Sequence, residues 1–381
     1  MNTNTSIDSA SIANFTNLVR LGIGHQASSL IEPVDWDAME ALAERQGLSA
    51  VVLDGINRLP EAVRPPKIML LQWIGEVMQG YEQRYVLYRK AEAGLGAWYR
   101  EHGFRMMLLK GLACGLDWPR PEHRPYGDID IYLFGQQSEA DALMVQEFKV
   151  HGSTGSPTGA KFKIDKSHHH HTVFQWQGFT VENHYDFVNV HVHESSRELE
   201  SIFKGLANKD DCLPLTAYGL MPPANLHALF LVRHMVSHFT GSNITLRQVL
   251  DWAFFVEKHG NEVDWGWLEG LLDKYHMKAF FDCVNAICVE DLGFNKVESL
   301  GFRVGSQLES LEFKKLKERI LSDTLTPEFD EETPKKVWKR MPFKYRRWKA
   351  NRWKRELCYE DGQLRTFLGG VWNHLLKPAG I

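Results

Sequence analysis

Apolar residues recur at helical spacing through most of the first hundred positions. The runs "DWDAMEALAERQGLSAVVLDGI" (35–56) and "LLQWIGEVMQGYEQRYVLYRKAEAGLGAWYREHG" (70–103) read as amphipathic helices, the second closed by Gly103. The period then changes. "FRMMLLKG" (104–111) is a short apolar run ended by glycine, and "GDIDIYLF" (127–134) alternates, so both predict strands. "SEADALMVQEFKVHG" (138–152) opens on serine and acids and predicts a capped helix. "HHHHTVFQW" (168–176) and "FTVENHYDFVNV" (179–190) predict two strands joined by a tight hairpin at Gln177-Gly178. From residue 223 the pattern is helical again, beginning with "PPANLHALFLVRHMVSHF". Strands and helices do not alternate regularly enough for a doubly wound sheet. The pattern predicts an α+β fold, a small mixed sheet with helical segments on both sides. The expected division is a helical segment over 1–95, the α+β core over 96–215, a helical domain over 216–330 and a C-terminal segment over 331–381.

Bulk properties narrow the class. A length of 381 residues suffices for more than one core, and 44% hydrophobic with 24% charged residues is ordinary for a globular protein. A net charge of −4 gives no global case for nucleic acid. Five cysteines without CxxC spacing indicate neither a disulfide framework nor a zinc ribbon. No basic and apolar leader opens the chain, and no apolar run reaches the roughly 18 residues of a membrane span, so a cytoplasmic location is expected.

The alternating run carries the chemistry. Residues i and i+2 of a strand point the same way, so Asp128 and Asp130 share a face while Ile129, Ile131 and Leu133 form the other. Carboxylates among strand apolars are costly without a cationic partner. On the later strand Glu182, His184 and Asp186 share a face. If the two strands are neighbours, Glu182 completes a three-carboxylate cluster, with Asp186 as its substitute. Such a cluster holds hard cations and serves in-line phosphoryl or nucleotidyl transfer. The third acid can take the nucleophile's proton. Upstream, Lys110-Gly111 ends a strand and enters a short helix, a place for phosphate. The bland alternative pairs the two aspartates with Arg124 and other cations on a solvated edge strand.

This order of parts resembles the nucleotidyltransferase superfamily built on the DNA polymerase β-like palm, and more closely the bacterial nucleotidyltransferase family 5 group. The resemblance rests on Leu109-Lys110-Gly111, Arg124 with Gly127-Asp128-Ile129-Asp130, Val181-Glu182-Asn183-His184 and "LRQVLDW" (246–252), and covers roughly residues 95 to 260. Lys110 stands where the superfamily usually has glycine. The resemblance implies transfer of a nucleoside monophosphate from an NTP to a hydroxyl acceptor with release of pyrophosphate, using Mg²⁺ or Mn²⁺. Asp128, Asp130 and Glu182 would be the catalytic metal ligands. Lys110, Gly111, Arg124, His184 and Arg247 would contact nucleotide. The acceptor is left open among a small molecule, a protein side chain and an RNA end. The alternative is an inactive nucleotide-binding or scaffold protein at a membrane surface or on RNA.

Four further features stay open. The run His168–His171, with His184, His191 and His193 soon after, could supply zinc ligands, yet no His-x3-His or cysteine fixes a geometry. As a strand it would set His168 and His170 on one side and His169 and His171 on the other. The commoner outcome has one or two histidines lining the cleft. His234 and His238, four apart on one helix, could bind metal but read first as an interior polar contact between helices. Arg247 and Asp251, also four apart, read either as an ion pair or as Arg247 facing the cleft. Finally, residues 335–355 hold eleven lysines or arginines, no acid and five aromatics, with Pro342 expected to split the stretch. That composition suits an anionic membrane surface, RNA, or packing of the aromatics on the body.

Overall fold

The change of period at residue 104 marks where helices give way to sheet. A computed structural model of the chain describes residues 8–360 apart from 151–161, 192, 296, 298–309, 332 and 335. The N-terminal helices are α1 (Ser9–Gly22), α2 (Trp36–Gln46), α3 (Ser49–Asn57), α4 (Lys67–Val77) and α5 (Gln83–Glu101). The apolar run over 35–56 is two helices because Gly47 takes a left-handed conformation, φ 65°, which ends α2. The long run over 70–103 carries a π-helical turn, Met78–Glu82, between α4 and α5.

The chain then forms β1 (Met106–Leu108), α6 (Leu112–Gly115), β2 (Ile129–Tyr132), α7 (Gln137–Val150), β3 (His171–Trp176), β4 (Phe179–His184), α8 (Glu194–Leu206), β5 (Leu213–Pro214) and β6 (Gly219–Met221). The strands make one mixed sheet in the order β3-β4-β2-β1-β6-β5, so the fold is α+β. β2 lies parallel to β4 and antiparallel to β1. The β3–β4 hairpin turns at Gln177 and Gly178, both at positive φ (48° and 88°), the twist a two-residue turn requires. Helices α9 (Ala224–Gly241), α10 (Leu246–His259), α11 (Trp265–Lys274) and α12 (Lys278–Ala286) follow, and then three more, Leu311–Leu325, Val337–Ala350 and Arg352–Cys358.

Both faces of the sheet are covered. On one, Ile129, Ile131, Val181 and Phe174 pack with Leu95 and Tyr99 of α5 and Met144 of α7. On the other, Met107 and Tyr132 join the larger helical core through Phe187, Phe203 and Phe230. Each such side chain contributes about 1.5–3 kcal/mol by leaving water. The face that carries Asp130 and Tyr132 is therefore covered too, and β2 is an interior strand of the sheet rather than a solvated edge.

Candidate active site

Strand register builds the centre of the site. β2 and β4 run in parallel with Asp130 opposite Glu182 and Tyr132 opposite His184, so both carboxylates and the imidazole project from one face. From the other side of β4, His171 pairs with His184 across the hairpin. One ligand atom each from Asp130, Glu182 and His184 lies within 4.8 Å of the other two. The His184 Nε2 is 3.5 Å from the Asp130 Oδ1 and 3.7 Å from the Glu182 Oε2.

Asp128 stands apart from this group. It precedes the first paired residue of β2 and is exposed, while Asp130 is 3% exposed. The alternation that puts the two on one face leaves only Asp130 buried, because the cleft roof does not extend over the strand entrance. Tyr88 of α5 holds that entrance by donating its hydroxyl to the Asp128 carbonyl oxygen at 3.0 Å. The same ring explains Gly111, whose φ is 63° and where a Cβ would stand 2.2 Å from the Tyr88 hydroxyl. Tyr88 lies in the middle of a helical pattern, and its spacing alone gives no sign of this role.

Lys110 reaches from the end of β1 to Asp130, its Nζ 2.7 Å from Oδ1 and 3.5 Å from the His234 Nε2 of α9. Burial opposes the Lys110 charge, but Asp130 and Glu182 outweigh it and raise its pKa. Burial likewise opposes ionisation of Asp130, yet Lys110 and His184 hold its carboxyl well below the usual range. For His184, burial is outweighed by contact with Asp130 and Glu182, and its pKa rises to about 9. Glu182 is raised, chiefly by burial. The exposed Asp128 is raised as well, by partial desolvation and by the Asp130 charge. Glu182 is the acid that faces Asp130. Asp186 lies past the end of β4 in an ion pair with Lys204.

Arg124 is elsewhere. Its buried guanidinium makes a two-pronged pair with Asp251 of α10, Nε to Oδ1 at 2.7 Å and Nη2 to Oδ2 at 2.9 Å, and Trp118 donates to the same Oδ1 at 2.9 Å. Arg124 thus couples the approach to β2 to the helical region and does not touch Asp128 or Asp130. Asp251 is accordingly taken by Arg124 rather than by Arg247, its neighbour one turn away. Arg247 has no ion pair among the described residues, and burial together with the nearby Arg124 charge lowers its pKa. His234 and His238 do not form an interior contact between helices. Their rings are 4.4 Å apart on one helix, and His234 faces Lys110.

The histidine run does not follow strand alternation. Residues 168–170 form a bend, and only His171 enters β3. His170 and His171 therefore come together rather than falling on opposite sides, with ring centroids 4.3 Å apart.

The basic stretch over 335–355 is largely one helix, Val337–Ala350, which runs through Pro342; the break falls at Asn351. Phe343 packs against Phe329 and Trp353 against Phe239. Lys354 is wholly buried with its Nζ 2.5 Å from Asp323, and Arg346 and Arg352 pair with Glu331 and Glu356. Aromatics and part of the charge are thus used in packing. Lys335 lies outside the described residues. Among the described residues no helix is long and apolar enough to cross a membrane.

A family model for an uncharacterised nucleotidyltransferase matches residues 32–293, more than half of the chain. No curated protein and no solved structure gives a match.

Proposed function

The chain belongs to the uncharacterised nucleotidyltransferase family, and from that premise we propose that it is a metal-dependent enzyme moving a nucleoside monophosphate from an NTP to a hydroxyl acceptor. The observation that carries this reading is the parallel register that sets Glu182 beside Asp130, next to the cationic Lys110, in a roofed cleft. The donor set fits a divalent cation, because a buried carboxylate, a half-buried one and an imidazole converge within 4.8 Å and the exposed Asp128 precedes them on the same strand. Asp130 and Glu182 would hold Mg²⁺ or Mn²⁺, with Asp128 as the outer ligand. Such an ion neutralises phosphate charge and acidifies the attacking hydroxyl.

The remaining roles belong to the chain. Lys110 moves from Asp130 onto the phosphates, and Arg247, desolvated and without a protein partner among the described residues, meets them from α10. Gly111 lets the backbone pass under Tyr88 so that Lys110 is placed. Arg124, tied to Asp251, secures the fold of the approach to β2 and takes no part in the chemistry. Glu182, whose pKa is raised by burial, accepts the acceptor's proton, and His184 holds both carboxylates in place. The acceptor oxygen bonds to the α-phosphorus as the bond to the departing pyrophosphate breaks.

One observation favours a second reading. The Lys110 ammonium at 2.7 Å from Asp130 occupies the carboxylate a metal needs, as suits a protein that binds nucleotide without turning it over. Incubation of the protein and a cell extract with α-labelled NTPs and Mg²⁺ or Mn²⁺ separates the two. Label entering a protein, RNA or small-molecule fraction with wild type and not with the Asp128→Asn/Asp130→Asn variant supports transfer and names the acceptor class. Metal-dependent nucleotide binding without transfer selects the second reading.

A further inference from the structure

Beside the carboxylates lies a second group of donors, of which the proposed transfer uses only His184. His170, His171 and His184 each bring one ring nitrogen within 4.8 Å of the other two. The rings of His171 and His184 are 5.1 Å apart and those of His170 and His184 5.4 Å. The Nδ1 atoms of His170 and His171 are buried without a hydrogen-bond partner, and the Nε2 atoms of His171 and His184 have only carboxylate oxygens at 3.5–3.8 Å. Leaving one such buried polar atom unpaired costs about 1–3 kcal/mol, and native interiors rarely tolerate a cluster of them without a reason.

The scaffold around these nitrogens is fixed. His171 and His184 are ladder partners across the hairpin. The His170 carbonyl accepts from the amides of Tyr185 and Asp186, at 3.0 and 3.1 Å, which ties the bend to the end of β4. The His184 Nδ1 donates to the Asp186 carbonyl at 3.2 Å, which turns Nε2 inward, the orienting contact that metal-bound imidazoles use; a bound cation would take the place of the Nε2 proton. Glu182 stands beside two of the three, with Oε1 3.8 Å from the His171 Nε2 and Oε2 3.7 Å from the His184 Nε2.

We infer that His170, His171 and His184, with Glu182 as fourth ligand, form a site for a zinc-class divalent cation adjoining the carboxylate pair. Three imidazoles and one carboxylate are a tetrahedral zinc set, whereas Mg²⁺ prefers an all-oxygen octahedron. Ligand atoms of a tetrahedral zinc centre lie about 3.4 Å apart, so the group closes by roughly an ångström through side-chain rotation. The site shares Glu182 and His184 with the proposed active site. His170 and His171 belong to it alone, and a protein that binds the ion yet transfers no nucleotide would sink only the earlier reading.

The test is titration of tag-free, chelator-treated, full-length protein with Co²⁺, which absorbs strongly in the visible when tetrahedral and weakly when octahedral. One Co²⁺ per chain with strong bands, displaced by stoichiometric Zn²⁺ and not by excess Mg²⁺, is expected. His170→Ala and His171→Ala should each weaken binding by about 10²-fold while far-ultraviolet circular dichroism is kept, and His191→Ala, at an exposed position, should bind as wild type. Absence of strong bands in the wild-type protein, which needs no variant to fold, would overturn the site. Equal binding by His170→Ala, His171→Ala and wild type, or loss on His191→Ala, would reduce it to adventitious capture by the histidine run.

Discussion

Two buried constellations of charge lie on either side of the loop between β1 and β2, and they are built in opposite ways. Around Asp251 the carboxylate is fully engaged: Arg124 gives a two-pronged pair and Trp118 a further hydrogen bond, all between 2.7 and 2.9 Å. Around Asp130, Lys110 is close, but His184, Glu182 and His171 stand 3.5–3.8 Å from their neighbours. The first arrangement is finished by the fold, since a buried ion pair is tolerable only when its hydrogen bonds are complete. The second is loose, with coupled charges and buried nitrogens left over, which is how a site awaiting a ligand differs from a structural knot. Superficially similar Asp–cation pairs therefore have different assignments here.

Substitutions can break or sharpen that contrast. The largest effect is expected for Asp130→Asn, which should lower nucleotide transfer per folded molecule at least about 10³-fold, some 4 kcal/mol of transition-state stabilisation. A loss below tenfold in labelled transfer would place the chemistry elsewhere. Asp251→Ala leaves the Arg124 guanidinium buried and unpaired and should cost about 3–5 kcal/mol in urea unfolding, most of it regained in Arg124→Met/Asp251→Leu. A cost under about 1 kcal/mol would remove the knot's structural role.

A smaller effect concerns pH. The His184 pKa is raised to about 9 in the folded chain, so its favourable contribution is complete below the unfolded value near 6.5 and lost as pH rises through 9. The stability gap between wild type and His184→Gln, measured with chelator present, should narrow by about 3 kcal/mol over that window. A gap independent of pH would contradict the charged bridge. The smallest effect is expected at Asp128, whose raised pKa means its ionised form costs the fold stability at neutral pH. Asp128→Asn should raise the melting temperature slightly while reducing transfer, and a fall in melting temperature would argue against repulsion from Asp130.

Local pattern carried much of this. Alternation in residues 127–134 and 179–190 is enough to expect two strands with acids on one face, and Gln177-Gly178 is enough for the hairpin. Partners distant in the chain were not legible. Spacing within α10 suggests Arg247 for Asp251, but Arg124, 127 positions away, takes the carboxylate because the loop before β2 is packed against that helix. Lys110 could be linked to phosphate by its neighbours, whereas its contact with Asp130 depends on β1 and β2 pairing antiparallel. The histidines resisted reading for another reason. A bend at 168–170 cancels the alternation on which face assignment rests, so His170 joins His171 and His184. Pro342 is a similar case, since the break its ring would cause falls instead at Asn351.

The most direct measurement pairs two readouts on two variants: labelled nucleotide transfer per folded molecule and the urea midpoint, for Asp130→Asn and Asp251→Asn side by side. The account predicts that Asp130→Asn loses transfer at least about 10³-fold per folded molecule, while Asp251→Asn lowers the midpoint and keeps transfer per folded molecule within about threefold of wild type. If transfer in both variants simply follows the folded fraction, the Asp130 cluster is a second structural knot and the proposed active site is wrong.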